Sequence, residues 1–417
     1  MYLLINILGI VVFLAIAVLF SKNRKKINWR SVITVLILNL VIAFLLTEFS
    51  WGREAVKAAA DGFSGLVEVA NAGIGFALPS WLALKTPDFV TSALLPILLI
   101  VPVFDILTYI GVLPFLIKWI GRGLSFVTGQ PKFESFFSVE MMFLGNTEAL
   151  AVSQIQLKQM KANRDLTIAM MSMSCVTASI LGAYVQLVPG QFVLTAVPLN
   201  ILNAVIITSI LNPVEVKPEE DTIAKLGSSS DVADATAEAA DGDSDKGREP
   251  FFSFLGDSIL GAGKLILIIT ANVIAFVALA ALIDKLLGFV NPWLSLEHVL
   301  GIIMFPFAWL MGLDVHHAFE FAQFMGKKLV TNEFVIMQQI TKTINNHSVF
   351  PPHYQAQLVV FITSFANLST VGMIIGAFKG IVDKEHNDLI SKNVVYLLLS
   401  GILVSLMSAG IVGLFVW

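Results

Sequence analysis

From Tyr2 to Phe20 the chain carries no charged residue, and Lys22, Arg24, Lys25, Lys26 and Arg30 follow at once. A run that long and apolar meets the roughly 18 residues that mark a helix able to cross a bilayer. The basic cluster behind it, with no basic residue before it, sets the N-terminus outside. A cleaved leader would carry its positive charge first and a small-residue cleavage site after, so the segment is expected to stay. Further runs of the same kind make the protein polytopic, with 56% of residues hydrophobic and only 13% charged. A soluble fold is excluded. The net charge of -4, with much of the acid in one stretch, argues against nucleic acid as a partner. Cys175 is the only cysteine, which rules out an internal disulfide and argues against a cysteine metal site.

Val32 to Phe49 is a second span, and Trp51 to Leu78, which mixes small apolar residues with Arg53, Glu54, Lys57, Asp61 and Glu68, reads as interfacial. Thr91 to Ile117 is a third span, ending inside at Lys118, Arg122 and Lys132. Phe136 to Met160 is too polar in its middle to cross; it reads as two half-helices meeting at Gly145-Asn146-Thr147-Glu148, covered by protein or facing a watery cavity. Leu166 to Val188 and Gln191 to Leu211 are the fourth and fifth spans, turning at Pro189-Gly190. Asn212 to Pro250, rich in Asp, Glu, Ser, Ala and Gly, has too little apolar surface to fold and is expected to be a mobile inner linker.

After the linker the order recurs: a long span from Leu265 to Val290, broken apolar pieces from His298 to His353 around Asn332-Glu333, then spans Leu358 to Ile381 and Asn393 to Trp417. The charges give the two copies opposite orientations, the pattern of an inverted-repeat transporter. The expectation is an all-α polytopic membrane protein with about eight transmembrane helices and two re-entrant helical hairpins. Its divisions are 1–90, 91–211, the linker 212–250, and 251–417, and both termini lie outside.

Glu148 and Glu333 would each cost roughly 3 kcal/mol facing lipid, so both should face an interior cavity. Asn367 and Thr370, three apart in a third polar run, share a helix face. Asn146 and Thr147 add an amide and a hydroxyl beside Glu148. Such groups offer donors and acceptors without fixed positive charge, which suits a neutral ligand rich in hydroxyls and amides. Simpler roles compete with these: either acid caps a half-helix, Asn367 and Thr370 are interhelical glue, and Asp105 is a packing partner. His316-His317 lacks the spacing of a zinc protease, Gly261-Ala262-Gly263-Lys264 lacks the first glycine and the final hydroxyl of a P-loop, and Gly73-Ile74-Gly75 and Gly121-Arg122-Gly123 lack the third glycine of a dinucleotide fingerprint. No resident metal or cofactor is expected.

Gly326-x-Lys328-x3-Asn332-Glu333-Phe334-Val335-x-Met337 resembles the signature of the concentrative nucleoside transporters. Gly145-Asn146-Thr147-Glu148-Ala149 and Phe365-Ala366-Asn367-Leu368-Ser369 resemble that family's other two stretches, in the family's order and across essentially the whole chain. The resemblance implies a homotrimer in a bacterial cytoplasmic membrane, each protomer moving a nucleoside, expected to be a pyrimidine nucleoside such as uridine, inward on a cation gradient. It assigns Asn146, Thr147 and Glu148 to the base, Glu333, Asn367 and Thr370 to the ribose, and Ile180 and Phe365 to the pocket wall. Ile336 stands where the signature usually has Ala, and Asn146 and Thr370 replace the Gln and Ser of some members, so base selectivity is left open.

The resemblance also bears on the ion. Sodium-coupled relatives use a side-chain amide seven residues before the first hairpin acid and a hydroxyl in the following helix. Here those positions are Met141 and Cys175. Sodium wants oxygen, and a thioether and a thiol are weak acceptors. Proton symport is therefore favoured, with Glu148 or Glu333 as the carrier. Sodium is the alternative, because Ser174 and Thr177 are near enough to substitute. An intramembrane enzyme would account for the paired acids but not for the repeat, and a channel suits two gating hairpins less well.

Overall fold

Proline, glycine and side-chain caps divide the apolar runs into more helices than their lengths alone predict. The computed structural model describes residues 1–83, 88–217, 219–223 and 250–417, and among these there is no strand. The first part comprises α1 Tyr2–Leu19, α2 Trp29–Thr47, the long amphipathic α3 Ser50–Ala77 and the short α4 Pro79–Leu82. Asn28 caps α2 by accepting from the Ser31 amide at 3.2 Å, so that helix begins earlier than its apolar run.

The expected third span, Thr91 to Ile117, is corrected. A π-helical turn, Val90–Leu94, leads into α5 Ile97–Tyr109, and the chain then reverses at Gly111, whose φ of 90° is a left-handed conformation that glycine adopts without a side-chain clash. The remainder belongs to the amphipathic α6 Val112–Thr128. Next come α7 Lys132–Leu144 and α8 Asn146–Val152, two half-helices meeting at Gly145 as the sequence suggests, with the first starting at Lys132 because Pro131 occupies its N-cap. After α9 Gln154–Gln159, the expected fourth span is broken into α10 Ala162–Ser172 and α11 Ala178–Leu187. Then α12 Gly190–Leu211 runs through the core, with 83% of its most apolar stretch buried.

The second half repeats this order. It comprises α13 Phe251–Val290, α14 Leu296–Trp309, the half-helices α15 Val315–Val330 and α16 Glu333–Ile340, the broken pair α17 Pro352–Ile362 and α18 Leu368–Ile381, the connecting α19 Lys384–Lys392, and α20 Val394–Val412. The single span expected over Leu358 to Ile381 is therefore corrected as well. So is the start of the long span: α13 begins at Phe251 behind Pro250, because nothing between there and Leu265 stops a helix. Its 40 residues extend about 60 Å, twice the hydrocarbon thickness. Counting the π-helical turn and α5 as one run, Val90–Tyr109, six of the described helical segments are long and apolar enough to span a membrane. The two broken pairs occupy the places of the remaining two expected spans.

Polar groups in the final spans hold the breaks open. Asn200 of α12 donates to the Thr363 carbonyl at 2.5 Å, and Ser400 of α20 donates to the Met170 carbonyl at 3.1 Å. Asn200 thus takes up a carbonyl freed by the break between α17 and α18, which would otherwise be a costly orphan, while Ser400 adds a second donor to a carbonyl that already accepts from the Met173 amide. Asn203 links the layers, accepting from Asn39 at 2.8 Å and donating to Ser408 at 2.9 Å.

The start of the expected linker is not a free tether. Asp221 accepts from the Lys132 amide at 2.7 Å, placing an anion at the N-terminus of α7. Glu220 pairs with Lys161 at 2.6 Å, and its carbonyl accepts from Arg164 at 3.1 Å. Arg164 in turn forms a buried two-pronged pair with Glu134, both contacts at 2.8 Å. The rest of the linker, 224–249, lies outside the described residues.

Candidate functional site

Two asparagines set the site by capping half-helices. Asn332 accepts from the Val335 amide at 3.1 Å and starts α16, so Glu333 becomes that helix's first residue. Asn367 accepts from the Thr370 amide at 2.9 Å and the Thr370 hydroxyl at 3.1 Å, and starts α18. Helix N-termini present positive ends, and here two of them converge on one carboxylate. Glu333 is buried. Its Oε2 accepts from Asn367 Nδ2 at 3.3 Å and its Oε1 from Tyr184 Oη at 2.9 Å. Phe334 packs edge-on to the Tyr184 ring at 4.9 Å between centroids and to Phe89 at 5.3 Å. The second repeat's acid is thus seated by a helix of the first repeat.

Hairpin one is built around Gly145, whose φ is 89°. A side chain there would meet Thr177 Cβ at 2.7 Å, so only glycine lets the hairpin tip lie against the break between α10 and α11. Asn146 is buried and donates to the Ser172 carbonyl at 3.4 Å, at the end of α10. The Thr147 side chain lies outside what the structure describes. Glu148, third in α8, is exposed, with Asp105 of α5 as a charged neighbour. Asp105 itself is bonded by Ser258 of α13. Ile180 is buried on α11, one turn before Tyr184 and on the same face, and Phe365 is half-buried in the break between α17 and α18.

Direct hydrogen bonds therefore join Glu333, Asn367 and Thr370. Asn146 and Glu148 occupy the tip of the other hairpin, whose second leg α8 packs on α18. Met141 and Cys175 are both buried at the same hairpin–break junction: Ser172 Oγ donates to the Met141 sulfur at 3.5 Å, and the Cys175 thiol donates to the Met171 carbonyl at 3.5 Å. Among the described residues no group of three or more His, Cys, Asp or Glu could hold a metal ion.

Two residues without a role in the sequence reading belong to this site. Tyr184 could have been found from its helical spacing to Ile180. Lys328, visible in the signature, is fully buried, and its amine donates to the Phe361 carbonyl at 2.7 Å and to Ser364 Oγ at 2.6 Å.

Comparison with known proteins points one way. The family model described as "Na+ dependent nucleoside transporter C-terminus" matches residues 192–413, and the corresponding N-terminal model matches 8–81. The "Purine nucleoside transport protein NupG" of Bacillus subtilis is 46% identical over the full length of both chains. The "Nucleoside permease NupC" of Helicobacter pylori is 26% identical, over 99% of this chain and 98% of its own. In three dimensions the chain resembles CNTnw in an inward-facing substrate-bound state, with a TM-score of 0.88 at 26% identity, covering 100% of this chain and 98% of that one.

Proposed function

The chain belongs to the concentrative nucleoside transporter family, a family of transporters and not of enzymes, and on that footing we propose that it takes up nucleosides by proton symport, with purine nucleosides preferred. In this reading it works as a homotrimer in a bacterial cytoplasmic membrane, with both hairpins re-entrant, both termini outside, and alternating access around a site near the midplane. Glu333 and Asn367, with Thr370 behind them, take the ribose hydroxyls. Asn146, Thr147 and Glu148 take the base, and Ile180 and Phe365 form its walls.

The observation that carries the choice of ion is the pair of sulfur atoms at the first hairpin–break junction. A sodium ion there would keep backbone carbonyls but lose two side-chain oxygens. A proton needs only an accessible carboxyl. Glu333 has both oxygens occupied by donors, whereas Glu148 is exposed, and we take Glu148 as the carrier.

The base assignment departs from the uridine expected of the sequence. What supports purines is the full-length identity of 46% to a protein named for purine nucleoside transport. Uptake of labelled inosine into proteoliposomes, competed by unlabelled inosine or uridine, tests it. Inosine should compete at least tenfold more effectively, and the recovered label should be unaltered; equal or better competition by uridine reverses the assignment.

A further inference from the structure

We infer that Lys328 is a positioning residue of the ribose half of the site, its buried amine holding the tip of hairpin two against the break between α17 and α18. The inference rests on the assignment of Glu333 and Asn367 to the ribose. Lys328 lies five residues before Glu333, in the last turn of α15, and is 1% exposed. Its amine meets three acceptors: the Phe361 carbonyl, the Ser364 hydroxyl, and the face of the Phe361 ring with its centroid at 4.6 Å. Glu333 is the countercharge in electrostatic range. Phe361 is the penultimate residue of α17, so the amine meets the negative end of that half-helix while Asn367 starts the next one. Ser364 is held in turn by Ser405 of α20 at 2.6 Å. Moving Lys328 therefore moves the break that carries Asn367.

The first repeat supplies a comparison inside the same chain. Met141 lies five residues before the first residue of α8, as Lys328 does before α16. Met171 is penultimate in α10, as Phe361 is in α17, and Ser174 holds the place in its break that Ser364 holds in the other. Among the described residues the Met171 carbonyl receives the Cys175 thiol, and the buried Ser174 hydroxyl has no partner. Among the described residues, one half of the transporter thus carries a buried amine at its break and the other half does not.

Nucleoside affinity of the purified protein, measured by calorimetry in detergent, tests the role without any gradient. Lys328→Met should weaken binding more than tenfold, and Lys328→Arg should recover part of the loss, with equal melting temperatures for the two variants. Lys328→Ala should be rescued by ammonium chloride and not by choline chloride at the same ionic strength, since a small void already borders Met304, Met325, Phe361 and Ser405 there. Wild-type affinity in Lys328→Met, or a loss that neither arginine nor ammonium relieves, overturns the inference. Glu333→Gln run alongside separates it from the site assignment: normal binding by that variant removes the ribose reading and this inference together, whereas loss in Glu333→Gln alone removes only the role of Lys328.

Discussion

Tyr184 donates its hydroxyl to Glu333 across 2.9 Å, and the two residues are 149 positions apart. The bond crosses from the broken helix of one repeat to the hairpin of the other. Any motion of one repeat against the other must therefore stretch or carry it.

Tyr184→Phe removes that donor and keeps the ring packed on Phe334. A hydrogen bond to a charged group contributes roughly 1.5–3 kcal/mol, about tenfold to a hundredfold in affinity. The expected outcome is a KM for nucleoside raised at least tenfold with little change in maximal rate, read from initial uptake rates. An unchanged KM would detach Tyr184 from the site.

Glu148→Gln and Glu333→Gln should each abolish uptake while the protein still elutes as a folded oligomer. A carboxylate accepts through both oxygens, and an amide through one, with its nitrogen turned toward donors that repel it. At Glu333 both oxygens are already engaged, so the misfit begins before any ligand arrives. Near-normal uptake by both variants would remove them from the site.

The hairpins were readable in the sequence because their tips announce themselves: Asn332-Glu333 puts a capping amide before an acid, and Gly145 is the glycine its turn requires. The breaks at 173–177 and 363–367 were not. Neither contains proline or glycine, and each sits inside a run apolar enough to pass for one span. The polar contacts that meet them are tertiary: the Ser400 bond to Met170 spans 230 positions and the Asn200 bond to Thr363 spans 163. The burial of Lys328 is hidden for the same reason, since its acceptors are 33 and 36 positions away.

The two parts of the linker are tested separately. Replacing 224–249 by a short Gly/Ser bridge should leave transport near wild type, on their composition alone. Asp221→Ala, by contrast, removes the anion from the N-terminus of α7, costing about 1 kcal/mol. Thermal unfolding in detergent should detect that loss as a shift of a few degrees, on the order of 2 °C. No shift in Asp221→Ala would show that the contact contributes nothing.

Restoring oxygen to the first hairpin–break junction should change the ion. The double variant Met141→Asn, Cys175→Ser is expected to gain sodium-stimulated uptake of several-fold, with each single variant showing less. Sodium indifference in a folded double variant would mean that these two side chains do not decide coupling.

Coupling in the unaltered protein is tested most directly by nucleoside uptake into proteoliposomes under imposed gradients. Acid outside, with sodium absent, should drive accumulation above equilibrium, and a proton ionophore should abolish it. Accumulation driven by a sodium gradient at equal pH, and indifferent to the ionophore, would contradict the account.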